Sequence, residues 1–292
     1  ALSGSASPDV DASSPPFRYL SGFTEADRWR FHGRVLATAQ LTDLVLYNQV
    51  VVLTGPDGAG KTSLTRAGLL PRLGDLRCQT VYVRCGDDPV ADAATGLVQG
   101  ERDLLHALRS WRGTGAGRVV VVFDEIDALT EARVDVLETL FDSIGACCSE
   151  AGEEVGFVLV VSQGNLSSLK QLRERLSDAP PVMRLGPLTA RGAREALVRP
   201  LETRGITFED TALAGLLDAL HADGRAVYWA EGDVVHGPHV QLLGGMLYDA
   251  LPERFTGIVD DQRCSLALPV STLVSRWVAR CLQRAMAAGI PE

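Results

Sequence analysis

Short, uniformly apolar runs alternate along this chain with longer stretches in which apolar residues recur every three or four positions. Val50-Val51-Val52-Leu53, Arg118 to Phe123 and Phe157 to Val161 have the length and apolarity of buried strands, with Thr80 to Arg84 a further candidate strand and Pro181 to Leu185 a weaker one. Helical spacing marks the stretches around them: Val35 to Tyr47, then Leu64, Ala67 and Leu70, then Leu104, Leu105, Leu108 and Trp111. It returns in Val134, Leu137, Phe141 and Ile144, and in Leu166, Leu169, Leu172 and Leu176. Pro71 is expected to end the second of these helices. Strand and helix in alternation predict an α/β fold, a parallel five-stranded sheet flanked by helices.

Upstream, Thr24-Glu25-Ala26-Asp27 has the spacing of a helix cap followed by an acidic third position. After Gly186-Pro187 no further strand is expected. Thr189 to Leu201, Asp210 to His221, Pro238 to Leu251 and Pro269 to Met286 all show helical spacing, so an all-helical second domain is expected, with Pro187 at the boundary.

The length of 292 residues agrees with two domains at roughly 100–200 residues each. No stretch approaches the roughly 20 consecutive apolar residues of a membrane-spanning helix. Ala1 to Pro16 is small, polar and proline-containing, without the basic and apolar regions of a secretory signal. It reads as a linker, and a chain opening on Ala reads as a piece of a larger protein. The six cysteines form neither a C-x-x-C pair nor a zinc-ligand spacing, which fits reduced, mostly buried thiols in the cytoplasm. A net charge of −9 disfavours a broad nucleic-acid surface, leaving only a local basic patch open. Lys61 and Lys170 are the only lysines.

Lys61 stands in the segment that carries most of the chemistry. Gly55-Pro56-Asp57-Gly58-Ala59-Gly60-Lys61-Thr62 fits G-x-x-x-x-G-K-[ST] and lies between an expected strand and an expected helix, the context such a match requires. Glycines let backbone N–H groups turn toward phosphate oxygens, and the start of the helix adds positive potential. Lys61 is assigned to the β- and γ-phosphates and Thr62 to Mg²⁺, with Ser63 beside them among the binding residues; Pro56, Asp57 and Ala59 shape the loop. Val119 to Phe123 followed by Asp124-Glu125 is the expected acidic element. Asp124 is assigned to Mg²⁺ through water, and Glu125 is the general base that polarises the attacking water. Asp127 reads either as part of this site or as a helix cap or surface acid. At the end of the fourth strand Ser162, Gln163 and Asn165 are candidates to contact the terminal phosphate, Ser162 foremost. Arg173, Arg175, Arg184, Arg191 and Arg194 are candidates for a charge-stabilising arginine, each set against a solvated or ion-paired surface role.

With these residues in place the chain resembles a STAND-class P-loop NTPase of the bacterial novel STAND group, an AAA+-related ATPase module. Phe17 to Asp27, ending in Phe31-His32-Gly33-Arg34, resembles the family's lead-in. Thr65-Arg66-Ala67-Gly68-Leu69-Leu70-Pro71 resembles the helix after its loop, and Gly186-Pro187-Leu188-Thr189 through Pro200 with Gly237-Pro238-His239-Val240-Gln241-Leu242-Leu243 is similar to its lid. The resemblance implies that Phe31, Gly33 and Arg34 border adenine, and that Pro238 and His239 report the nucleotide's state. It also implies ATP or ADP as the ligand; no guanine-reading motif is visible. The sequence departs from the pattern at Ser162-Gln163, where the family carries an arginine, and in Asp124 to Leu129, which is closer to origin-recognition AAA+ ATPases.

The resulting domain expectation is a linker over 1–16, a P-loop domain over 17–186, a helical lid over 187–252 and a helical extension over 253–292. That extension either finishes the lid or begins a winged-helix domain. The resemblance implies a slow ATPase switch whose lid closes on ATP. The closed form would assemble with copies of itself and activate effector domains, with sensor domains on the same polypeptide, in bacterial signalling or antiviral defence. Two alternatives stand beside it, an origin-recognition type of ATPase acting on DNA and a scaffold that keeps ATP as a structural ligand.

Overall fold

The fold is seen in a computed structural model that describes residues 14–112, 117–130, 133–228 and 234–287. Residues 1–13 of the expected linker lie outside them. The chain packs as two compact units, Val35–Gly186 and the lead-in up to Arg34 together with the chain from Pro187.

In the first unit β1 (Val50–Gly55), β2 (Gln79–Arg84), β3 (Val119–Asp124), β4 (Val155–Ser162) and β5 (Val182–Arg184) form one parallel sheet in the order β2-β3-β4-β1-β5. Both faces of the central strands are buried, which is why their sequences show unbroken apolar runs rather than alternation. Val52, Val121, Phe123, Phe157 and Leu159 pack on one face against Leu108, Leu140, Phe141 and Ile144 from the helices Leu104–Arg112 and Val134–Ala151. Val51, Leu53, Val120 and Val160 are buried on the other face, which the helix Val35–Tyr47 and the helical run 61–75 cover.

Two local expectations change. Pro71 does not end its helix. Residues 61–75 run on, α-helical over Lys61–Ser63, π-helical over Leu64–Leu69 and α-helical over Leu70–Asp75. Pro71 sits in the first turn of the last segment, where its missing N–H is tolerated, and the wider turn ahead of it makes room for the ring. A helix at Pro89–Leu97 also escaped the apolar pattern because alanine, glycine and threonine make up much of it. Asp88 caps it, accepting the Ala91 N–H at 3.1 Å.

The second unit is dominated by the helices Ala190–Glu202, Asp210–Tyr228, Gly237–Ala250 and Leu273–Ala287. It also holds two short strand pairs where none was expected. β6 (Leu188–Thr189) pairs antiparallel with β8 (Val234–Val235), and β7 (Ile206–Phe208) pairs parallel with β9 (Gly257–Val259). Strands of two or three residues are too short to leave a period in the sequence.

The lead-in, placed by the sequence with the P-loop domain, packs in this helical unit. Phe17 is 1% exposed and shares a core with Leu188, Leu197, Leu243 and Leu247. A Cβ on Gly244 would meet the Phe17 ring at 2.4 Å, and one on Gly245 would meet the Tyr19 ring at 2.5 Å. The Tyr19 hydroxyl donates to Asp249 at 2.6 Å, and Arg280 pairs with the same carboxylate at 2.7 Å. Val259, Cys264, Val270 and Leu273 belong to this core too, so one core spans the expected lid and the described part of the extension. Among the described residues no helix is long and apolar enough to cross a membrane, and all six cysteines are free.

Candidate nucleotide-binding site

The glycine-rich loop leaves β1 at Gly55 and enters the helix at Lys61. Its backbone explains its composition. Gly58 and Gly60 have φ of +75° and +90°, which side chains resist, and a Cβ on Gly55 would lie 2.3 Å from the Leu185 carbonyl oxygen. Gly60 opens the helix, its carbonyl accepting the Leu64 N–H at 2.8 Å. Lys61 is 12% exposed and its ammonium donates to the carbonyls of Gly55 at 2.9 Å and Pro56 at 3.3 Å, with the Asp57 carboxylate at 3.8 Å. A phosphate would replace these oxygens as acceptors of the Lys61 ammonium. The Thr62 hydroxyl has no hydrogen-bond partner among the described residues.

β4 lies between β3 and β1, so the strand beside the loop is the one ending in Ser162, paired in register with Gly55. This brings the Ser162 hydroxyl within 3.1 Å of Asp57, which belongs to the loop itself. Asp127 is neither a cap nor a surface acid. Its carboxylate accepts the Ser162 N–H at 2.9 Å, the Ser162 hydroxyl at 2.9 Å and the Asn165 amide at 2.9 Å, fixing the end of β4. Gln163 is exposed.

Asp124 ends β3 at 1% exposure. Its carboxylate accepts the Glu125 N–H at 2.8 Å and the Tyr82 hydroxyl at 2.7 Å. Burial first, then the Asp124 charge, raises the Tyr82 pKa and keeps the phenol a donor. Glu125 has φ of +58°, a left-handed conformation uncommon outside glycine, and its carboxylate meets Arg84 at 2.6 Å. The Arg84 guanidinium is raised in pKa chiefly by that hydrogen bond. The Cys85 thiol is pushed up to about 12, by burial and then by the neighbouring acids, so it offers no thiolate here.

A buried carboxylate with unused lone pairs and an uncommitted hydroxyl are hard oxygen donors of the kind that magnesium takes. Among the described residues no group of three or more His, Cys, Asp or Glu could hold a metal by itself. A magnesium ion here would therefore complete its shell with phosphate oxygens and water, as this ion prefers.

Phe31, Gly33, Arg34, Pro238 and His239 lie in the helical unit. Phe31 stacks at a tilt on Phe23, ring centroids 5.4 Å apart. Gly33 has φ of +82°, and its Cβ would fall 2.1 Å from the Gly192 carbonyl oxygen; Arg34 donates to the Pro187 carbonyl at 3.3 Å. Pro238 opens the helix Gly237–Ala250, and the His239 ring meets His236 edge-on at 4.6 Å. Of the arginines, Arg175 pairs with Asp142 and Arg191 pairs with Glu195 at 2.9 Å. Tyr82 and Arg84 were missed by the sequence reading, although their alternation at the end of β2, where the strand should have turned apolar, was the visible signal.

Comparison with known proteins agrees with this architecture. The ORC2 protein of Aeropyrum pernix, solved with ADPNP and ADP, is similar in fold with a TM-score of 0.58 at 16% identity, covering 88% of this chain and 76% of that one. A Walker-type ATPase of Pyrococcus abyssi gives 0.56 at 12% identity, covering 91% and 79%. The Aeropyrum pernix ORC1 protein in complex with DNA gives 0.51 at 18%, covering 82% and 68%. No curated protein matches the chain. Residues 16–227 match the family described as Novel STAND NTPase 1, and with a phosphate loop, an acid pair and a parallel sheet in the right order, the chain belongs to that family of P-loop NTPases.

Proposed function

We propose that the chain is an ATP-binding switch that hydrolyses ATP slowly and couples the bound nucleotide to assembly with its own copies and to effector domains outside this sequence. The observation that carries this reading is the pairing of β1 and β4. It sets Ser162 beside the loop that bears Lys61, on the sheet that also ends in Asp124 and Glu125. In this reading Lys61 grips the β- and γ-phosphates, Thr62 and Asp124 serve magnesium, and Glu125 activates water. Glu125 meets Arg84 at 2.6 Å, and its carboxylate would have to leave this exposed partner to reach the attacking water. Phe31, Gly33 and Arg34 are proposed for adenine, and Pro238 and His239 as reporters of nucleotide state.

The test uses the full-length protein. Lys61→Ala should lose triphosphate binding, and Glu125→Gln should bind ATP without hydrolysing it. Light scattering should show a larger mass with ATP than with ADP. A protein whose mass ignores ATP, and whose variants hydrolyse like the wild type, would overturn the reading.

The Asp124-to-Leu129 motif favours one competitor, an origin-recognition type of ATPase acting on DNA. The net charge of −9 weighs against it. DNA affinity that falls steeply with added salt would decide for it.

A further inference from the structure

We propose that Tyr82 is a positioning residue that fixes the Asp124 carboxylate for the divalent cation of a bound nucleotide. The proposal rests on the reading of the loop and acid pair given above. Asp124 is buried, and a buried carboxylate must be held by donors. One oxygen accepts the Glu125 N–H, a contact any residue at that position would make; the other accepts the Tyr82 hydroxyl, which only this side chain supplies. The terminal torsion of an aspartate is soft, so a single contact leaves the carboxylate free to rotate. A second donor on the opposite oxygen sets its plane. Each oxygen keeps a lone pair for a metal or its water.

The ring that carries this hydroxyl is itself held. The Arg66 guanidinium lies 4.9 Å from its centroid, and Arg66 is one helical turn beyond Thr62. The helix that presents the hydroxyl for the cation therefore also grips the side chain that aims the carboxylate. Tyr82 and Arg84 alternate with buried Val83, so the last residues of β2 assign one partner to each acid: Tyr82 to Asp124 and Arg84 to Glu125. Groups that orient metal ligands in this way are worth about 10–100-fold in metal affinity.

The experiment measures binding of a fluorescent ATP analogue to the full chain across a Mg²⁺ titration and again in EDTA, with thermal melting alongside. Tyr82→Phe removes one oxygen and keeps the ring. It is expected to raise the Mg²⁺ half-saturation about tenfold while leaving metal-free affinity within about twofold of wild type. Arg66→Met, which keeps the ring's neighbour but not its charge, should shift the same midpoint about threefold and so tests the idea even if Tyr82→Phe folds poorly. A Mg²⁺ titration unchanged in both variants would overturn the proposal, as would an equal loss with and without metal. If Asp124→Asn abolishes the Mg²⁺ dependence and these two variants do not move it, this proposal falls and the site reading stands. If the wild type binds no nucleotide, both fall.

Discussion

The two units reach stability by opposite routes. Val35–Gly186 is one continuous stretch whose core is a sheet with its central strands buried on both faces and with helices between successive strands. The helical unit is assembled from two separate stretches of chain and is tied by contacts between distant residues, such as Phe17 under Gly244 and Tyr19 on Asp249. The first closes within that one stretch, Val50 of β1 pairing with Phe157 of β4, whereas the second needs segments from both ends of the chain to meet. Chemistry and stability should therefore separate: changes in the loop unit should alter turnover with little loss of fold, and changes in the lead-in should alter fold first.

The largest effect expected is on turnover. Glu125→Gln should lower the hydrolysis rate by roughly 10²–10⁴-fold with the melting temperature unchanged, measured as phosphate release under saturating ATP. A variant that melts early would mean the acid also supports the fold, breaking the separation. Next comes Phe17→Ala, which empties a fully buried aromatic site and should cost about 3–5 kcal/mol in urea denaturation. Hydrogen exchange should then show opening within Leu188–Leu251 first, and uniform opening of the sheet instead would defeat the comparison. Gly33→Ala should cost more than about 1 kcal/mol by the same assay, because its φ is left-handed and the new methyl strikes backbone.

The smallest effect is a pH slope. The His32 pKa is lowered, first by burial and then by the nearby Arg199 charge, against a raising hydrogen bond with the Trp29 backbone, and its buried Nε2 has no hydrogen-bond partner among the described residues. Because the unfolded chain binds that proton more readily, stability is full above the ordinary histidine value of about 6.5 and declines as pH falls below it. His32→Phe should flatten the loss of urea midpoint between about pH 7.5 and 5.5. An unchanged slope would assign it to other groups.

The same contrast decides what the sequence could show. The loop, the acid pair and all five main strands were readable because each is a local pattern, a motif of eight residues or an apolar run whose period needs no partner. Asp127 stayed ambiguous because its role is set by Ser162 and Asn165, more than thirty residues away. Tyr82 and Arg84 escaped for the same reason, since only the sheet order tells which acids they meet. The placement of the lead-in could not be read because Gly244 and Gly245 leave no mark except the lack of a side chain, and what fills that space is far off in the chain. Pro71 misled because a proline rule applied to an α-helix fails where a π-turn precedes it.

The close approach of Gly33 and Gly192 has an evolutionary consequence. A Cβ at the first would strike the carbonyl oxygen of the second, and a Cβ at the second would lie 2.7 Å from the carbonyl oxygen of the first. Neither position can drift alone, so across relatives the two should be inherited as a pair, kept together or lost together with the bend they make possible.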